Sequence, residues 1–197
     1  YQELRGNSCI PIELIPPTRQ QIVSSRSFGV DLSDFDELNQ ALTALTRKAV
    51  NKLNNHKLAM TTMTVFIYTN PHKKNTPCVH LSKTVGMPIA IEGESQIIPL
   101  ASQILRLIYK PGYSFNKGGV VLSNLTKNYR QQDLFSITQN SQPQVLARQK
   151  SNAIKGANKR FNESVKYASE VGNDRWLPRA NFRSNRYTTS WSELLII

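Results

Sequence analysis

Three sets of residues in this chain have the types and spacing to do chemistry. The first is acidic: Asp31, Asp34, Asp36 and Glu37 stand close together, and paired carboxylates can hold magnesium for phosphoryl transfer. Their place just ahead of an apolar stripe at helical spacing favours a plainer use. Ser33 or Asp34 caps a helix there, and Asp36 and Glu37 in the first turn meet the positive end of its dipole. The second set is basic and hydroxylic: Ser24, Ser25, Arg26 and Ser27; Thr69 with Lys73 and Lys74; and Ser82, Lys83 and Thr84. Small hydroxyl side chains let a backbone approach phosphates and donate N–H and O–H groups, while the cations add charge. These are the candidate nucleic-acid-binding residues, and the alternative that they are ordinary solvated strand faces stays open. The third set is Gln131-Gln132-Asp133-Leu134-Phe135, polar then apolar, directly after the last strand-like segment. Two adjacent large apolar side chains forfeit roughly 1.5–3 kcal/mol each when left wet, so Leu134 and Phe135 bury themselves in a partner protein or fold back on their own domain.

Other chemistry finds no footing. His56, His72 and His80 fall in a helix end, a turn and a strand, without the spacing of a metal site. Cys9 and Cys78 stand singly, which gives no disulfide framework, favours a reducing compartment and leads us to expect buried, inert thiols. There is no phosphate loop, dinucleotide fingerprint or nucleophile elbow, and Gly118-Gly119 lies inside a strand-like run, where close packing accounts for it. The sequence shows no active site of its own, and no cofactor is expected in it.

Composition narrows the partner. Lys and Arg number 25 against 13 Asp and Glu, a net charge of +12, and a domain this basic most often meets a polyanion. Residues 1–140 hold 15 basic and 9 acidic residues and residues 141–197 hold 10 and 4, so charge per residue is more than twice as high in the tail. At 39% hydrophobic the chain can build a core, and no window approaches 18 consecutive apolar residues, so no membrane span is expected. The opening Tyr1-Gln2-Glu3-Leu4-Arg5-Gly6 is not a signal peptide and reads as a cut through a longer protein.

The elements that must position these residues follow from periodicity. Pro11, Pro16 and Pro17 mark residues 9–20 as a linker. A short strand runs from Gln20 to Phe28 and ends at Gly29; a helix follows to about residue 55, with Leu38, Leu42, Leu45, Ala49 and Leu53 on one stripe. From Ala59 to Thr69, Met63, Val65 and Ile67 alternate with Thr62, Thr64, Phe66 and Tyr68, a strand whose second face is Thr-rich and aromatic. Cys78 to Val85 alternates again, and Pro88 and Gly93 mark a loop. A second helix carries Ile97, Ala101, Ile104, Leu105 and Ile108, with Pro99 expected in its first turn, and Phe115 to Leu125 is the last strand. The order β-α-β-β-α-β predicts an α+β fold, the split βαβ arrangement: a four-stranded sheet with both helices on one face and the other face open. An RNA-recognition sheet shares this topology but carries a Gly-Phe-rich aromatic signature that Phe66 and Tyr68 only faintly suggest. Ser136 to Ala147 reads as a flexible linker, and Asn158 to Ser169 as a short helix or hairpin.

Several stretches together resemble the C-terminal third of bacterial UmuC-type Y-family translesion DNA polymerases, the catalytic subunits of DNA polymerase V. They are Glu3-Leu4-Arg5-Gly6 with Cys9, Ser25-Arg26-Ser27-Phe28-Gly29, Phe66-Ile67-Tyr68-Thr69-Asn70-Pro71, Tyr109-Lys110-Pro111-Gly112-Tyr113, Lys117-Gly118-Gly119-Val120 and Arg186-Tyr187-Thr188-Thr189-Ser190-Trp191-Ser192-Glu193-Leu194. The resemblance implies that residues 1–20 end the thumb and form a linker, 21–127 form the DNA-binding little finger, 128–147 hold a clamp-binding peptide and flexible linker, and 148–197 are the family's C-terminal extension. It implies a little finger gripping the backbone of both strands in the DNA major groove. Gln131, Leu134 and Phe135 then resemble a sliding-clamp-binding motif, in which Gln132 departs from the apolar residue often seen; Phe161-Asn162-Glu163-Ser164 departs from a glycine-rich turn. The implied parent is a magnesium-dependent, error-prone polymerase of SOS mutagenesis in the cytoplasm at the nucleoid, working on damaged primer-template DNA with UmuD′ and RecA, its catalytic carboxylates in a palm that this sequence lacks. The rival expectation is a stand-alone, non-catalytic nucleic-acid or protein interaction module.

Overall fold

A computed structural model describes residues 1–9, 19–73, 77–127, 149, 152–154, 156–158, 160–161, 165–172, 174–178 and 182–194. Its elements are β1 (Gln21–Leu32), α1 (Phe35–Asn55), β2 (Leu58–Thr69), β3 (His80–Ile91), α2 (Glu94–Ile108) and β4 (Phe115–Lys127). The strands form one antiparallel sheet in the order β1-β4-β2-β3, and the two helices pack together over one of its faces. The expected α+β, β-α-β-β-α-β fold is the one observed.

Local chemistry sets most boundaries. Asp34 caps α1: its Oδ2 accepts from the backbone N–H of Asp36 at 3.0 Å and of Glu37 at 3.1 Å, satisfying donors that the helix leaves open. Leu38, Leu42, Leu45, Ala49 and Leu53 are all buried, and all but Leu45 join the core cluster with Met63, Val65, Ile67, Val120 and Leu122 from the sheet. Four sequence expectations are corrected. β1 passes through Gly29 to the buried Leu32, because a bulge between Ser27 and Leu32 turns the strand without ending it. β3 also continues through Pro88, where the pairing jumps from Thr62↔Gly86 to Met60↔Ile91; on an edge strand at such a shift a missing N–H breaks no ladder. Because α2 begins at Glu94, Pro99 lies in its second turn, and the helical partner it removes is that of the carbonyl of Ser95, an exposed residue. Cys9 and Cys78 are exposed, since both lie outside the packed elements.

The C-terminal region returns to the helix layer. Ala168–Glu170 and Asp174–Trp176 are single 3₁₀ turns; the first packs on α1, the second on β1, and Trp176 enters the core with 5% of its surface exposed. Leu177 lies so close to Gly29 that a Cβ there would collide with its carbonyl oxygen, so this strand position takes only glycine. Residues 156–158 are helical, in keeping with the helix alternative there, and the side-chain amide of Asn158 accepts from the Val165 N–H at 2.8 Å and donates to its carbonyl at 3.0 Å.

Candidate nucleic-acid interface

Strand register decides which side chains reach the open face. Val65 is buried and pairs with Val120, so the positions that alternate with it along β2, Thr62, Thr64, Phe66 and Tyr68, point away from the helices. Cross-strand partners share a face, so the open side carries four rows. From β1 to β3 they read Ser27, Lys117, Tyr68, His80; Ser25, Gly119, Phe66, Ser82; Val23, Val121, Thr64, Thr84; and Gln21, Ser123, Thr62, Gly86. No carboxylate stands among these residues. Hydroxyls link the strands, with Thr64 Oγ1 and Thr84 Oγ1 2.8 Å apart and the Asn124 amide donating to Thr62 Oγ1 at 2.9 Å.

The sequence-predicted residues divide over this frame. Ser25, Ser27, Ser82 and Thr84 lie on the open face and are exposed. Ser24 does not: it pairs with Val120 on the helix side and is 7% exposed. Thr69 is 4% exposed and its hydroxyl is used internally, donating to Pro77 O at 2.9 Å and accepting from the Val79 N–H at 2.8 Å. Arg26 and Lys83 are out of phase with the serines beside them, so both leave from the helix side, and at opposite edges of the sheet, since β1 and β3 are its two edge strands. Arg26 shares a shallow groove with Lys48 and Lys52 of α1. Lys73 pairs with Asp31 at 3.0 Å. Lys74, Gln131, Leu134 and Phe135 lie outside the described residues.

Sequence reasoning passed over Lys117 and His80, and it listed Phe66 and Tyr68 only as a faint signal. Phe66 and Tyr68 ring centroids are 4.9 Å apart and those of Tyr68 and His80 4.2 Å, a continuous aromatic run over two strands. The period-2 pattern of β2 had already put both aromatics on one face; only the register adds His80 and Lys117 to it.

The acidic cluster is committed elsewhere. Partial burial would raise the Asp31 carboxyl, but hydrogen bonds from Lys73 and Asn116 and the Lys73 charge outweigh it and hold it below the usual carboxylate range. Asp34 caps α1, and Glu37 pairs with Arg175 at 3.3 Å. These carboxylates therefore do not make a magnesium site, and the described residues contain no group of three or more metal-ligating side chains. No described helix is long and apolar enough to cross a membrane.

Residues 19–134 match the impB/mucB/samB family C-terminal domain. The chain belongs to this family. Residues 151–197 match a domain of unknown function (DUF4113), so the segment that returns to the helix layer falls in a region whose role is unassigned. Protein ImpB of Salmonella typhimurium is 29% identical over 194 residues, covering 98% of this chain and 45% of that one. Protein MucB of Escherichia coli is 30% identical over 196 residues, covering 99% and 46%, and protein UmuC of Salmonella typhimurium is 28% identical, covering 98% and 46%. This impB/mucB/samB-family chain thus spans less than half the length of these relatives. A solved Y-family DNA polymerase chimera aligns over 64% of this chain and 34% of its own, at 18% identity and a TM-score of 0.45.

Proposed function

We propose that this chain is the DNA-gripping, clamp-tethered region of an error-prone Y-family translesion polymerase, a little finger with its C-terminal extension. The observation that carries this reading is the open sheet face. It is wide, hydroxylic and marked by Lys117, and its four paired rows hold no carboxylate, which is the surface a phosphate backbone needs, on a chain whose family relatives include UmuC. Ser25, Ser27, Ser82 and Thr84 approach the backbone, and Arg26 and Lys83 reach round the two edges to it. Synthesis belongs to a palm with its own magnesium-binding carboxylates. The part described here binds and positions. Gln131, Leu134 and Phe135 attach the region to a sliding clamp, and damaged primer-template DNA, UmuD′ and RecA are the parent's partners in an SOS response at the nucleoid.

Two titrations of the whole chain test the reading. It binds primer-template duplex with an affinity that falls steeply with salt, and a Ser25→Asp/Ser82→Asp variant, which puts carboxylates on the open face, loses at least tenfold. It also binds the sliding clamp at tens of micromolar or better, on the order of −6 kcal/mol. A Leu134→Ala/Phe135→Ala variant abolishes that binding and leaves DNA affinity unchanged. A wild-type chain that ignores the clamp removes the tether from the reading; one that ignores duplex DNA removes its basis.

A further inference from the structure

We infer that the open sheet face takes unpaired DNA bases as well as phosphates, stacking them on Phe66, Tyr68 and His80. The inference rests on the DNA-binding reading above and names what that face binds beyond the backbone.

The aromatic run has no structural duty that explains it. Phe66 and Tyr68 are half-buried on the side of the sheet away from the helices, and neither belongs to the hydrophobic core or packs against it. Phe66 is laid down across its neighbour strand. Its register partner is Gly119, where a Cβ would come within 2.7 Å of the ring's Cζ and 2.5 Å of Ser25 Cβ. The tip of the ring thus lies over the glycine, against the β4 backbone and Ser25. Tyr68 follows at 4.9 Å and His80 at 4.2 Å, separations at which neighbouring rings partly overlap, so the run is a short aromatic stack that an incoming base can extend.

The occupant follows from the chemistry around the rings. Ser25, Ser27 and Ser82 offer hydroxyls beside them, Lys117 pairs with Tyr68 in register, and none of their register partners is a carboxylate, so a flat anionic ligand fits better than an apolar peptide. Every nucleobase presents a π-face to an aromatic side chain, and such stacking tolerates any sequence. In a duplex those faces are hidden in the base stack and only the edges are available. The aromatic run therefore distinguishes unpaired from paired DNA.

The test compares three fluorescently labelled DNAs of equal length by anisotropy: oligo(dT), an abasic strand with the same phosphates, and a duplex. They are read against the whole wild-type chain, Phe66→Ala/Tyr68→Ala and Phe66→Leu/Tyr68→Leu. The leucine pair keeps apolar volume without a π-face, and circular dichroism confirms that each variant is folded. The expected result is that wild type binds oligo(dT) at least tenfold more tightly than the abasic strand. Both variants lose about that factor on oligo(dT) and stay within twofold on the abasic strand and the duplex. Equal wild-type affinity for oligo(dT) and the abasic strand overturns the inference while leaving the DNA-binding reading intact, and so does a leucine variant that binds oligo(dT) as wild type does. A chain that binds none of the three DNAs overturns both.

Discussion

Gly119 is where the open face is most tightly built. A Cβ on it would meet Ser25 Cβ at 2.5 Å, the Phe66 ring at 2.7 Å and the Ser24 carbonyl oxygen at 2.8 Å, and the last of these is backbone in a paired strand that cannot step aside. Gly86 lies on the same face, on edge strand β3, with nothing within 4 Å of the corresponding position. The two glycines thus separate conformational from steric need. Gly119→Ala is expected to destabilise the fold by about 1–3 kcal/mol, the usual scale for overpacking, whereas Gly86→Ala changes it by about 0.5 kcal/mol or less. Urea unfolding of the two variants beside wild type measures the difference. Equal midpoints would show that Phe66 and Ser25 yield freely, and that the ring is not held down over β4.

At the scale of elements, the C-terminal turns hold the helix layer from its outer side. Arg47 of α1 is bound to Glu170 at 2.5 Å, with their side chains 8% and 13% exposed, and the Gln40 amide donates to the Glu170 carbonyl at 3.2 Å. The Tyr167 hydroxyl donates to Glu94 Oε2 at 3.0 Å. Glu170→Ala takes the carboxylate from a largely buried guanidinium and is expected to cost about 3 kcal/mol. Arg175→Ala breaks an exposed pair and costs under about 1 kcal/mol, and thermal melts of both variants check the contrast. The Tyr167 bond adds a pH limit. Burial, and then the Glu94 charge, push the phenol up to about 12 from 10.0, so the neutral form is the one favoured when folded. The stabilisation is complete below pH 10.0 and is lost as pH rises through about 12. In a Trp191→Phe background, Trp176 fluorescence is expected to report that alkaline release, and Tyr167→Phe to remove its dependence on phenol ionisation. These contacts also mark what was legible beforehand. The α1 cap, its leucine stripe and the alternation of β2 rest on neighbours a few residues away, and each was readable. Gln40 and Arg47 lie on the same helix but off the stripe, and what buries them arrives from Glu170, 123 residues beyond Arg47. Likewise the serines of β1 and β3 were legible as polar strands, but only pairing shows that Arg26 and Lys83 point to the helix side.

For the whole molecule, the proposed DNA-binding reading raises the question of which of its many cations would meet DNA. The tail has the higher charge density, yet two of its described turns, Ala168–Glu170 and Asp174–Trp176, lie against α1 and β1, with Tyr167 held by α2, on the side opposite the aromatic run. Net charge alone would assign the tail to the polyanion; the reading proposed above assigns the open face. Counterion release separates the two, because each phosphate neutralised adds to the slope of log affinity against log salt. Lys117→Ala is expected to reduce that slope on duplex DNA by about 1, the loss of one phosphate contact. Lys166→Ala/Arg175→Ala removes two exposed tail cations and should leave the slope unchanged. The reverse pattern, with Lys117 silent and the tail pair effective, would move the DNA to the helix side. The hydroxylic face would then have to be accounted for by another partner.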